Sequence, residues 1–340
     1  MKKRIALLMT GIVLAGVLAG CSQEQNSSSE VTQSSSKKEG ENITIVFSQK
    51  DEWLGNLEAA AKEAAGEYGV NLVSQDSLSD TSKQIQFVTT AAANGEKAVI
   101  VNLVDPNIAP DVIEAAGDMK VVFVNRPPSD MNILNENVVY VGSDEMSSGR
   151  YQGEYLAKYF NDVGKTDISY IMLNGILGQI STTNRTKSVL QALQDNNINA
   201  KEASAPLACD YDRAEAMTQI TPLITANTKY DCIISNNDAM ALGAVEALEN
   251  AGIDPSSIPI VGIDATADGQ AAVASGKMAM TVFQNAKGQG YGALKAAINL
   301  INNKPINEGT EYEIDSENPY VVWIPFEPVT KENVAEYASR

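Results

Sequence analysis

AVIVNLVDPNIAPDVIEAAGDMKVVFVNR, residues 98–126, is the stretch on which the fold turns. Two of its runs, AVIVNL and KVVFVNR, are almost continuously apolar, and IAPDVIEAAGD between them has a helical pattern. A strand that is apolar at every position must be covered on both faces, as in a parallel sheet held between layers of helices. Toward the N-terminus the alternation continues with NITIVFS as a strand and LGNLEAAAKEAAGEY as a helix. Leu54, Leu57, Ala61 and Ala64 share one face of that helix, and Glu58 and Lys62 form an i,i+4 pair outside it. NLVSQD and the helical QIQFVTTAAAN complete the first series. A second series is expected from VVYVGSD through SGRYQGEYLAKYF, ISYIML, TKSVLQALQ, KEASAPLA, RAEAMTQITPLI, DCIISN and AMALGAVEALENAG to IPIVGID. The chain therefore reads as α/β, with two doubly wound halves. AKGQGYGALKAAINLIN and YVVWIPF can return to earlier sheets.

The N-terminus carries an address. MKKRIALLMTGIVLAGVLAG has a basic start, an apolar core and a small-residue exit, the layout of a secretory leader. The exit Leu18-Ala19-Gly20-Cys21 resembles the bacterial lipobox, in which the Cys is lipidated and becomes the mature N-terminus. SQEQNSSSEVTQSSSKKEGEN then has almost nothing to bury and reads as a flexible tether. The expectation is an extracytoplasmic body held at the cell membrane by an N-terminal lipid.

The formal charge of −18 grows three units more negative once Lys2, Lys3 and Arg4 leave with the leader. Such a balance argues against nucleic acid as a partner. There is no His, which removes Ser-His-Asp and Cys-His nucleophile systems and most zinc sites. Cys209 and Cys232 read as small buried residues near strand ends. VGKT at Val163–Thr166 lacks the glycine spacing of a phosphate loop, and GQGYG at Gly288–Gly292 has the wrong spacing for a dinucleotide fingerprint. DYDRAE lacks the Gly and terminal Glu of a calcium loop, and Asp51 and Glu52 have no second group placed opposite them for acid–base work. An enzyme is not expected.

Ligands in open α/β sheets sit outside the carboxyl ends of the strands. Those ends supply Gln49, Asp51 and Trp53, then Asn102 and Asp105, then Asn125 and Arg126; the second series supplies Gln179, Ser181 and Arg185, then Asp210 and Tyr211, Asn236, Asn237 and Asp238, Asp264, and Gln284. Singly, several of these can be helix caps. Together, carboxylates, amides, Arg and flat aromatics match a sugar, whose hydroxyls both donate and accept and whose C–H faces are apolar.

The segments VNLVDP, VVFVNRPP, VGSDEMSSGRYQGEYLAKY, SNNDAMALGAVEAL, IPIVGIDAT, SGKMAMTVFQNAKGQG and VVWIPFEPVTKENVAEY resemble the type I periplasmic sugar-binding proteins, most closely their galactose/glucose-binding branch. The resemblance runs from about Ile43 to the end. It implies two lobes joined by a three-segment hinge, a monosaccharide (a hexose such as glucose or galactose) between them, delivery to the permease subunits of an ABC importer, a monomer, and no cofactor or metal. Behind the leader at 1–20 and the lipidated Cys21 and linker at 21–42, it implies an N-terminal lobe at 43–125 completed by about 285–318, and a C-terminal lobe at 126–284 completed by about 319–340. Carried over by motif, the sugar readers are Asp51, Asn102, Arg185, Asn237 and Asp264, with Trp53 and Tyr211 as stacking faces and Gln284 where the family has Asn. Gln179 and Ser181 stand where the galactose branch has His and Asp, so the favoured hydroxyl pattern should differ from galactose. The calcium loop of that branch is replaced by the short NDVGKTDIS link, which predicts no calcium site there. A sensory lipoprotein presenting the same ligand to a membrane receptor, and a binder of another polyhydroxylated or purine-type metabolite, remain open alternatives. A sugar-responsive transcription regulator shares this core but needs a basic DNA-binding segment that the acidic tether does not supply.

Overall fold

The computed structural model describes residues 40–338. The leader, Cys21 and the linker up to residue 39 lie outside the described residues. The first series forms β1 (Asn42–Phe47), α1 (Glu52–Tyr68), β2 (Asn71–Asp76), α2 (Thr81–Ala93), β3 (Ala98–Val101), α3 (Ala109–Ala116), β4 (Lys120–Val124) and β5 (Val138–Gly142). The second forms α4 (Glu145–Asp162), β6 (Asp167–Asn174), α5 (Ile180–Asp195), β7 (Asn199–Glu202), β8 (Leu207–Ala208), α6 (Arg213–Thr225), β9 (Cys232–Ser235), α7 (Asp238–Asn250), β10 (Ile260–Val261), α8 (Ala267–Ser275) and β11 (Met280–Gln284). The chain ends with α9 (Ala286–Ile301), β12 (Glu313–Ile314), β13 (Val321–Trp323) and β14 (Phe326–Thr330).

Two sheets result. The first runs β12-β13-β5-β4-β3-β1-β2 and the second β14-β11-β10-β9-β6-β7, with β8 also on β6. Successive strand residues face opposite sides, so each apolar strand feeds two cores. Ile43, Ile45 and Phe47 of β1 join a cluster with α1 and α9, whereas Val46 joins the cluster on the other face with α2 and α3. In the second sheet Ile171 and Leu173 of β6 face one way and Tyr170 and Met172 the other. The sheets are parallel except at their edges, where β12 runs antiparallel to β13 and β14 antiparallel to β11.

The expected lobe boundary at 125/126 is corrected. VVYVG pairs in parallel with β4 and belongs to the first sheet. Val139 and Val141 pack toward α9 while Val138 and Tyr140 pack on the opposite face, so β5 fills a buried slot that a second-lobe strand cannot occupy. The expected completion of the second lobe from 319 is corrected too, because β13 pairs with β5 and only β14 reaches the second sheet. The chain thus passes between the sheets three times: after Gly142, after Gln284 and after Trp323.

Close helix pairs depend on glycine contacts, at Gly149, Gly153, Gly243 and Gly290. A Cβ on Gly290 of α9 would lie 2.4 Å from the Leu57 carbonyl oxygen of α1, and one on Gly149 of α4 would lie 2.2 Å from the Arg185 carbonyl oxygen of α5. The GQGYG run therefore serves helix packing. Gly290→Ala should destabilise the protein by about 1–3 kcal/mol through overpacking against backbone. Gly66→Ala on α1, where nothing lies within 4 Å of the added methyl, should stabilise it by about 0.5–1 kcal/mol. Urea unfolding midpoints of the two variants decide this, and equal shifts would contradict the packing account.

Candidate functional site

The carboxyl ends of both sheets open onto one cleft of about 240 Å³. The first lobe contributes Asp51, Glu52, Trp53, Asn125 and Arg126; the second contributes Glu145, Gln179, Ser181, Arg185, Tyr211, Asn237, Asp264, Thr266 and Gln284. Nine of the ten residues expected at a ligand site therefore line this cleft. Asn102 does not. It is fully buried, its Oδ1 accepts from Ser48 Oγ at 2.6 Å, and its Nδ2 donates to Asn125 Oδ1 at 3.1 Å. It ties the ends of β1, β3 and β4 together and holds Asn125, which reaches the cleft in its place. Asn125 and Arg126 were visible in the sequence as the end of β4. Glu145 carried no signal there beyond that of an acid in a helix's first turn.

Arg185 is 4% exposed and Glu145 5%. Arg185 Nε donates to Glu145 Oε2 at 2.6 Å and Nη2 to Oε1 at 3.2 Å; Nη2 also donates to Gln284 Oε1 at 3.3 Å, and Nη1 to the Asn236 carbonyl at 2.8 Å. Those four bonds leave little of the guanidinium's five N–H groups for anything else. Burial alone would lower its pKa, but Glu145, Tyr211 and Asp264 together hold it above its ordinary value. Arg185 lines the cleft as the sequence suggests, and most of its donors are engaged by the protein, so it is also a buried hub. Arg126, by contrast, gives one bond to the Leu103 carbonyl at 3.2 Å and has no ion pair among the described residues.

Several cleft positions adopt left-handed backbone that costs a non-glycine residue about 1–3 kcal/mol. They are Asn125 (φ 65°), Tyr211 (φ 64°) and Asp264 (φ 120°). Each is held from behind. Tyr140 donates its hydroxyl to the Asn125 carbonyl at 2.8 Å. The Tyr211 hydroxyl meets Ser181 Oγ and Thr182 Oγ1, both at 2.8 Å, and its ring fits only because Gly175 lacks a Cβ, which would fall 2.0 Å from the ring. Ser181 thus anchors an aromatic wall. The turn at Asp264 is fixed by Asp238, whose carboxylate accepts from Thr266 N at 3.0 Å and Thr281 Oγ1 at 2.6 Å.

What remains on the cleft side is a set of underused polar groups. Asp51 caps α1 by accepting from Leu54 N at 2.8 Å, and Asn237 caps α7 by accepting from Met240 N at 3.0 Å, which leaves the Asn237 amide nitrogen over. Gln179 Oε1 and Gln284 Nε2 are buried without a partner. Asp264 has only the Arg185 Nη1 at 3.9 Å, beyond hydrogen-bonding distance, and burial pushes its pKa well above the usual carboxylate range. Trp53 sends its indole N–H to the Gln284 carbonyl at 3.1 Å, so it offers the cleft apolar surface only. No cluster of His, Cys, Asp or Glu suited to a metal ion occurs among the described residues.

Residues 43–305 match the family described as periplasmic binding protein domain. The chain is 32% identical over 274 residues to a putative rhizopine-binding protein of Rhizobium meliloti, covering 80% of this chain and 84% of that one. It is 33% identical over 287 residues to the D-galactose/methyl-galactoside binding periplasmic protein of Haemophilus influenzae, covering 81% and 85%. Among solved structures, an ABC transporter solute binding protein from Bacillus halodurans with bound myo-inositol superposes with a TM-score of 0.76 at 30% identity, covering 89% of this chain and 99% of that one.

Burial also pushes Asp238 up to about 7, against the hydrogen bonds from Thr281 and Thr266 that favour its charged form. A carboxyl whose folded pKa is raised binds its proton more tightly when folded, so stability is lost as pH rises from the unfolded value, about 4, through 7. The thermal midpoint of the ligand-free protein should therefore fall between pH 5 and pH 8, and Asp238→Asn should flatten that slope. A wild-type midpoint that rises over this range would contradict the assignment.

Proposed function

The chain belongs to the periplasmic binding protein family, in its type I sugar-binding class, and from that premise we propose that it captures a hexose between its lobes and hands it to an ABC importer outside the cytoplasm. The carrying observation is the set of cleft groups left short of partners: Asp264, the Asn237 amide, Gln179 Oε1, Gln284 Nε2 and Arg126. They combine acceptors and donors around a small volume, which suits a ring bearing hydroxyls that do both. Asp51, Trp53 and Asn125 meet the ligand from the first lobe, and Tyr211 walls it from the second. Members of this class bind and deliver; the chain is not an enzyme.

A second reading has a specific observation behind it. Gln179 and Ser181 replace the His and Asp of the galactose branch, and the Ser181 hydroxyl is already committed to Tyr211. With that acceptor gone, and with a myo-inositol-bound protein among the similar structures, a cyclitol ring fits the same groups. Cys21 as a lipid-bearing N-terminus completes the proposal. Cys21→Ala should move the protein from the membrane fraction to the soluble extracytoplasmic fraction, and unchanged fractionation would remove the anchor.

Calorimetry against D-galactose, D-glucose, D-allose, D-ribose and myo-inositol tests the ligand class; silence across the panel would overturn it. The ligand that binds should also show a pH signature. A hydroxyl donated to the Asp264 carboxylate favours the ionised form, so affinity is complete above the raised pKa and falls as pH drops through it, by up to about tenfold per unit. Asp264→Asn should bind more weakly at pH 8 and lose this dependence.

A further inference from the structure

Arg185 touches the second-lobe end of every crossover. The first crossover ends where Glu145 opens α4, the second begins at Gln284, the last residue of β11, and the third ends where Phe326 opens β14. These residues lie far apart in sequence. Arg185 holds Glu145 through Nε at 2.6 Å and Nη2 at 3.2 Å, holds Gln284 Oε1 through Nη2 at 3.3 Å, and stands with Cζ 6.0 Å from the centre of the Phe326 ring. The middle crossover is gripped from the first lobe as well, by the Trp53 indole on the Gln284 carbonyl. A guanidinium this buried keeps its position only where a carboxylate neutralises it, and a two-point carboxylate bond fixes its plane as well as its place. Glu145 supplies that bond.

We infer that Glu145 is a positioning residue: it locks the Arg185 plane so that one side chain registers all three hinge segments against the cleft floor. Without the two-point bond, the nearest alternative carboxylate is Asp264, 3.9 Å from Nη1. Arg185 would swing toward it, release Gln284 and occupy a group the cleft otherwise keeps for ligand. Glu145 therefore sets hinge rigidity and cleft chemistry together; only the second effect rests on the sugar-binding reading.

Hydrogen exchange on the ligand-free protein tests the hinge effect without any ligand. The Ser147, Gln284 and Ile324 amides bond the Asp144, Asp264 and Gly142 carbonyls at 3.0, 3.2 and 2.7 Å, one reporter for each crossover. In Glu145→Gln, exchange at all three should accelerate by about tenfold or more while β3 and β9 stay unchanged. Acceleration confined to Ser147 and the first turn of α5, or no acceleration, would overturn the proposal. Should Glu145→Gln fail to fold, Glu145→Asp keeps the charge but shortens its reach; coordinated acceleration at Gln284 and Ile324 supports the role, and wild-type rates there refute it. A calorimetric arm with D-galactose and myo-inositol should show about tenfold weaker binding in the same variant. If neither compound binds the wild type, the sugar reading fails, and the exchange result still decides the hinge role.

Discussion

A buried charge has to be satisfied before anything else in its neighbourhood can be arranged. Removing one partner of such a pair costs about 3–5 kcal/mol, because the other is left without compensation. In this protein the pair is Arg185 and Glu145, and it sits where two sheets, three crossovers and a cleft converge. Gln284, the Asn236 carbonyl and the Phe326 ring are all placed by the direction in which the guanidinium points. The cleft floor is thus the outer surface of an internal electrostatic solution. Groups not needed for that solution, Asp264 among them, remain for the ligand.

Strain is distributed in the same way. Asn125, Tyr211 and Asp264 hold backbone that their side chains disfavour, and each is secured by a residue behind it: Tyr140, the Ser181–Thr182 pair, and Asp238. The positions that present side chains to the cleft are therefore poorly able to relax without it. Pre-arranged groups lose less freedom when a ligand arrives, which favours tight binding of a small molecule.

Much of this was legible in the sequence. Periodicity gave the strands and helices, because strands apolar on both faces and helices with one apolar stripe admit few other readings. The strand-end rule reached eleven of the cleft residues, and the family resemblance nine of those. The failures have physical causes. Asn102 and Asn125 are both amides at strand ends, and only tertiary contact tells which faces inward to bind its neighbour and which faces the cleft. The placement of β5 could not be read because its link from β4 contains no α-helix, so the usual alternation gave no sign of a further strand in the same sheet. Glu145 was invisible because an acid in a helix's first turn is already accounted for by the helix. Ser181 lines the cleft as expected, but its bond to Tyr211 could not be read because the two lie thirty residues apart.

The short step from β13 to β14 has a further meaning. Only Ile324 and Pro325 separate a strand of one sheet from a strand of the other, after the chain has already crossed twice. Neither lobe is a contiguous segment of the polypeptide, and no single cut releases either one whole. A genetic exchange that imported a ready-made lobe would have to replace several separated stretches at once. Substitutions on the existing frame are the simpler route to a new ligand preference, and the start of α5, with Gln179 at its cap and Ser181 in its first turn, is a place where such a change leaves every crossover in place.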